Sequence, residues 1–112
     1  MGLVVAWPRL DEVWLVALDP VVGSEIMKTR PCLVVSPDQA NRHLQTVIVA
    51  PLTSAVRLYP SRVDVVFAGR QGQVALDQLR TVDRQRLVHR LGTIDPATAQ
   101  RVSSVLVEMF RR

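Results

Sequence analysis

The apolar residues of this chain come in short bursts, and each burst is cut off by proline, glycine or aspartate. Residues 12–18 end at Asp19-Pro20, residues 30–35 at Ser36-Pro37, and residues 45–50 at Pro51. Residues 62–67 run toward Gly69 and Gly72, which turn them into a further short stretch, 73–76. Proline removes an N–H that a strand ladder needs, and glycine admits turns closed to other residues. No burst can therefore grow into a long element. Within the bursts the residues are mostly Val, Leu, Ile and Thr, which suits strands packed into a pleated surface. In 12–18, Val13, Leu15 and Ala17 face one way and Trp14, Val16 and Leu18 the other, predicting a strand covered on both sides. Two more short strands are expected at 79–82 and 87–91, with a helical turn at 83–86 between them and another at 38–42. Residues 55–61 read as an irregular connection, and 1–11, with Pro8 and Asp11, as a short N-terminal arm.

Only the C-terminus reads as a substantial helix. Asp95-Pro96 supplies a capping side chain and a proline at the first helical position, where its missing N–H costs nothing. Ala99, Val102, Leu106, Met109 and Phe110 then recur at three- and four-residue spacing and form one apolar face. Many short strands and one terminal helix describe a small, strongly curved antiparallel sheet or barrel in a single domain, 1–112. A chain of 112 residues buries roughly two thirds of its unfolded surface and gains from pairing with a second copy. No apolar run approaches the ~20 residues needed to span a bilayer, and the start lacks a basic signal-peptide region. A cytoplasmic protein, with no membrane association, is expected. The lone Cys32 cannot form an internal disulfide and reads as a small core residue.

The formal charge is +4, and Lys28 is the only lysine, so nearly all positive charge is arginine. Guanidinium groups bind phosphate bidentately and stack on bases, which makes nucleic acid the first candidate partner. Metal-ligand spacing is missing: there is one cysteine, and His43 and His89 are far apart. Neither metal nor other cofactor is expected.

The polar loop 23–29 that runs into Arg30-Pro31-Cys32-Leu33-Val34-Val35, together with Glu12-Val13-Trp14-Leu15-Val16-Ala17-Leu18-Asp19-Pro20, resembles the signature of the MazF/PemK/Kid toxin endoribonucleases. Val47-Ile48-Val49-Ala50-Pro51-Leu52-Thr53-Ser54 and Val74-Ala75-Leu76-Asp77-Gln78-Leu79-Arg80-Thr81-Val82-Asp83 resemble the family's two other segments, in the same order. The resemblance implies an SH3-like β-barrel of the CcdB/PemK type, mainly β with a C-terminal α-helix, usually a homodimer. It further implies the toxin of a type II toxin–antitoxin system, an mRNA interferase that cuts single-stranded RNA at specific sequences and is restrained by an acidic, MazE-like antitoxin.

Cutting RNA without a metal requires the 2′-hydroxyl to lose a proton, attack phosphorus and expel the 5′-oxygen, leaving 2′,3′-cyclic phosphate and 5′-hydroxyl ends. Arg30 suits the phosphorane charge, since its donors match phosphate oxygens, but is a poor base. Thr53 can hold a non-bridging oxygen. The proton acceptor is Glu25 or Asp77, with Glu25 preferred. The resemblance matches Arg30 and Thr53 to the family's catalytic arginine and threonine, and Glu25 to a loop glutamate used by some members. Lys28, Ser54, Asp77, Gln78, Arg80, Arg84 and Arg86 are the expected RNA-contacting residues. Ala75 stands where some members have a participating arginine, Ser24 where some have histidine, and Asp11 where glycine is common. Read without the resemblance, Glu25 and Arg30 are first a surface ion pair and Thr53-Ser54 a turn cap, Asp77 is equally a turn-holding residue, and Trp14 is a core or dimer contact. A gyrase-directed, CcdB-like toxin and a non-catalytic RNA-binding regulator are the alternative functions.

Overall fold

The computed structural model describes residues 7–18 and 29–112. Its described strands are β1 (Glu12–Ala17), β2 (Thr29–Val34), β3 (Thr46–Thr53), β4 (Arg62–Phe67), β5 (Arg70–Ala75), β6 (Arg80–Asp83) and β7 (Leu87–Thr93), joined by a short helix α1 (Asp38–His43) and closed by α2 (Pro96–Met109). Every pairing is antiparallel, in the order β4-β5-β3-β2-β1-β7, with β6 also on β3. The barrel expected from the sequence is thus a curled half-barrel, mostly β, with one long C-terminal helix.

The first strand is covered on both faces, as its alternation predicts. Val13 joins one buried cluster with Leu33, Ala50, Val63, Val65, Val74, Leu76, Ile94 and Val102, while Val16 joins another with Cys32, Val34, Val47, Val49 and Val82. Trp14 packs against the second cluster and donates from Nε1 to Glu12 Oε1 at 3.0 Å, which fits a core contact. Asp11 leads into β1 at φ 72°, a left-handed conformation that aspartate tolerates better than most residues and glycine takes freely. Its N–H donates to Val34 O and its carbonyl accepts from Ile94 N–H, so this turn ties three segments together.

Three boundaries differ from the sequence reading. The third strand was expected over 45–50, with Pro51 ending or bending it, and β3 runs on through Pro51 to Thr53. On one side β3 pairs with β6 over Thr46 to Val49 and with β5 only from Leu52, so Ala50 and Pro51 have a ladder partner on the β2 side alone. A residue without an N–H is tolerated at that gap. The glycine turn is also tighter than expected. Phe67 pairs directly with Arg70, leaving Ala68 and Gly69 at φ 51° and 75° as a two-residue hairpin turn, and β5 begins at Arg70. Finally, α2 ends at Met109, and the apolar face splits: Val102 is buried and Ala99 and Leu106 pack on the core, but Phe110 is 68% exposed. The N-terminus of α2 forms as expected, with Asp95 accepting from Thr98 N–H at 3.0 Å. No described helix is long and apolar enough to cross a membrane.

Candidate functional site

Strand register brings the central candidates together. β2 and β3 pair at Cys32 with Pro51, Leu33 with Ala50 and Val34 with Val49. Two residues beyond the Cys32–Pro51 pair stand Arg30 on β2 and Thr53 on β3, at the same end of the ribbon. Side chains repeat on one face every second residue and residues opposite each other share a face, so Arg30, Cys32, Pro51 and Thr53 belong to one face. Arg80, opposite Val49 in the β3–β6 pairing, belongs to it too. Cys32 reports the two arginines: burial pushes its thiol up to about 12, while the charges of Arg30 and Arg80 pull the other way. A thiol so held stays protonated at neutral pH and has no nucleophilic role.

Thr53 is fixed by its neighbours. β5 pairs alongside it through Gln73, and its Oγ1 accepts a hydrogen bond from Ala55 N–H at 3.0 Å. With a lone pair so occupied, the hydroxyl proton is left to donate. Gly72 lies against the same stretch, and a Cβ built there would stand 2.6 Å from Thr53 O. Only glycine allows that approach. Ser54 is exposed beside it.

The segment after Ser54 is pinned by side chains from the β4–β5 hairpin. Gln73, 5% exposed, accepts from Arg57 N–H at 3.0 Å and returns Nε2 to Arg57 O at 3.2 Å and to Asp64 Oδ1 at 3.0 Å. Arg62 donates Nη1 to Ala55 O at 3.1 Å and Nε to Asp77 Oδ1 at 2.7 Å. Its side chain is 6% exposed against 30% for Asp77. Hydrogen bonding from Arg62, aided by Ser61 Oγ at 3.2 Å, holds the Asp77 carboxyl below the usual carboxylate range. A carboxylate so occupied is a weak proton acceptor, and it faces β4 rather than the turn that follows it. Neither Arg62 nor Gln73 stood out in the sequence: both sit in strand-like runs where alternation reads them as surface polar residues.

The other candidates disperse. Gln78 is exposed on the 3-10 turn formed by Leu76–Gln78. Arg86 donates Nη1 to Ala17 O at 3.3 Å, at the end of β1 whose Val16 pairs with Arg30. Arg84 bonds through its N–H to Gln45 O, beside the start of β3, the opposite end of that strand from Thr53. Arg90 is ion-paired with Glu12 at 2.7 Å. Glu25 and Lys28, with Ser24, lie outside the described residues. Among the described residues no group of three or more His, Cys, Asp or Glu side chains is placed to hold a metal ion.

Comparison with known proteins gives the family and the fold. Residues 10–110 match the family of PemK-like, MazF-like toxins of type II toxin–antitoxin systems. The chain is 34% identical over 104 residues to endoribonuclease EndoA of Bacillus subtilis (strain 168), covering 88% of this chain and 90% of that protein. Its structure resembles the MazE–MazF crystal structure (Form-II) of Deinococcus radiodurans, with a TM-score of 0.78 and 27% identity over 91% of this chain and 94% of the other. It also resembles a mycobacterial endoribonuclease in complex with its cognate antitoxin, at a TM-score of 0.75 and 26% identity over 90% and 92% of the two chains. The matched family, the 34% identical relative and the shared fold lead to one conclusion: the chain belongs to the PemK-like, MazF-like toxins of type II toxin–antitoxin systems, a family of endoribonucleases.

Proposed function

We propose that this toxin cuts single-stranded RNA at specific sequences by metal-independent attack of the 2′-hydroxyl on the adjacent phosphorus. The observation that carries this reading is the register placing Arg30 and Thr53 on one face at one end of the β2–β3 ribbon, with Arg80 sharing that face. Arg30 offers fixed N–H donors to the phosphorane oxygens, where charge accumulates as the new P–O bond forms. Thr53 donates its hydroxyl to a non-bridging oxygen, its own lone pair already engaged by Ala55 N–H. Glu25 accepts the 2′-proton, a role supported by the engagement of the rival carboxylate, Asp77, with Arg62. Arg30 then polarises the departing 5′-oxygen, which takes a proton from solvent water, giving 2′,3′-cyclic phosphate and 5′-hydroxyl ends.

Lys28, Ser54, Gln78, Arg80 and Arg86 hold nucleotides next to the cleaved step, and Arg84 serves one further along the strand. The protein works in the cytoplasm as a homodimer. An acidic, extended antitoxin of the MazE type competes for the basic face, attracted by charge and ordered on binding. Incubating the protein with a long single-stranded RNA in EDTA, beside Arg30→Ala, tests the core of this reading. Discrete cuts with cyclic-phosphate ends from the wild type, absent with Arg30→Ala, are expected. Equal cutting by both proteins overturns the role of Arg30.

A further inference from the structure

We propose that Asp77 acts on the reaction through Arg62, as the far end of a clamp that aims the Thr53 hydroxyl, and neither accepts a proton nor contacts RNA. This deepens the nuclease reading and rests on it. The clamp is a chain of three hydrogen bonds. Arg62 Nε donates to Asp77 Oδ1 at 2.7 Å, Arg62 Nη1 donates to Ala55 O at 3.1 Å, and Ala55 N–H donates to Thr53 Oγ1 at 3.0 Å. Residue 55 is held at both ends of its backbone, by a guanidinium at its carbonyl and by the catalytic hydroxyl at its amide.

Each link has a physical reason. A guanidinium is planar, so bonding Nε to a carboxylate fixes where Nη1 can point. With its side chain only 6% exposed, Arg62 is out of reach of a substrate, and its charge is offset by Asp77. The peptide it grips is also held through Arg57, whose N–H and carbonyl both bond the buried Gln73 amide. Gln73 Oε1 is in turn within 3.4 Å of Arg62 Nη1, so the two grips are one network. An amide donating to Oγ1 selects the rotamer of Thr53 and frees its proton for a phosphate oxygen. Without Asp77, the guanidinium swings, Ala55 loosens, and the hydroxyl is no longer aimed; a misplacement of about 1 Å can cost on the order of 100-fold in rate. Asp77, Arg62 and Ala55 are thereby positioning partners around one catalytic group, Thr53.

The test uses the full chain with Asp77→Asn, Arg62→Lys, Thr53→Ala and the Asp77→Asn/Thr53→Ala double variant, each shown to unfold cooperatively. Single-turnover cleavage of a defined RNA in EDTA is measured across pH. Asp77→Asn and Arg62→Lys are expected to lower the maximal rate roughly 10- to 100-fold, with half-saturation unchanged within about twofold and the pH profile unaltered in shape. In the Thr53→Ala background, Asp77→Asn should cost nothing further, because the clamp has no other target. Equal losses in both backgrounds, or disappearance of the acid limb of the pH profile in Asp77→Asn, overturn the proposal. A second readout is independent of RNA: hydrogen exchange of the Ala55 amide should speed up at least tenfold in Asp77→Asn while the β1–β2 amides stay protected. An Ala55 amide equally protected in both proteins overturns the clamp whether or not the protein cuts RNA. Absence of cutting by wild type with the exchange change present refutes the nuclease reading alone.

Discussion

Replacing Gly72 with alanine tests how closely the β5 backbone must approach Thr53. The added Cβ would stand 2.6 Å from Thr53 O and 3.3 Å from its carbonyl carbon, where real contacts do not fall below 3.0 Å. The strands must part by at least 3.0 − 2.6 = 0.4 Å. The atom in the way is backbone, so no side chain can rotate aside. Overpacking of this kind costs about 1–3 kcal/mol. Alanine recovers about 0.5–1 kcal/mol by restricting the unfolded chain and suiting a strand better than glycine. At the middle of both ranges the steric cost wins, for a net loss of about 1 kcal/mol. Urea unfolding at fixed protomer concentration should show a midpoint lower by roughly 0.3–1 M for a slope of about 1–3 kcal/mol/M. Gln71→Ala, exposed on the same strand, is the control and should stay within about 0.5 kcal/mol. RNA cleavage by Gly72→Ala should fall more than its folded fraction does, since Thr53 and Gln73 are the pair being forced apart. A midpoint equal to or above wild type would refute the close-approach argument.

The two buried clusters predict that Leu33→Ala, which empties a fully buried position, lowers stability by about 2–5 kcal/mol in the same unfolding assay. Asp77 has a carboxyl held below its ordinary range by Arg62, so its contribution is present above the unfolded value near 3.8 and is lost as pH falls through the folded value. The stability gap between wild type and Asp77→Asn should therefore be widest above about pH 5 and close toward pH 2. Asp11 has the opposite sign: burial, then the charge of Asp38, raises its carboxyl, so it favours the folded state only when protonated. Asp11→Asn, which also tolerates φ 72°, should raise the melting temperature at pH 7 and leave it unchanged at pH 3. Cys32, fully buried and pushed up to about 12, should react with a thiol reagent at pH 8 only as fast as the protein opens; prompt labelling of native protein would contradict its placement.

Much of the fold was legible because its punctuation is local. Ser36-Pro37 and Asp95-Pro96 mark their boundaries whatever surrounds them, and the strand at Arg62–Phe67 could be read from alternation alone. Pro51 left the end of the third strand open, because a proline ends a strand only if a neighbour requires its N–H, and which neighbours β3 has at residue 51 depends on segments far along the chain. Of the site, Arg30 and Thr53 were legible as types in family-like segments, but their shared face came from register. Asp77 looked like a candidate acid or base because its partner, Arg62, lies 15 residues earlier on another strand, with nothing local to announce it. Gln73 was read only as the start of the stretch 73–76, because alternation cannot foresee that residues 55–57 fold over it. Phe110 was assigned to the core face by spacing, which does not say how far the sheet beneath the helix extends.

The position of β1 between β2 and β7 sets a clock on synthesis. Val13 must find Gly92, and Val16 must find Leu87, before β1 has a neighbour on its second side. While the chain emerges, the strands carrying Arg30 and Thr53 can already meet, but β1 keeps one row of hydrogen-bonding groups open until residues 87–93 have appeared. Non-local pairing of this kind slows folding relative to helical domains of the same size. For a toxin, a slow final closure lengthens the interval between translation and a finished sheet, in which an inhibitor made alongside it has time to arrive.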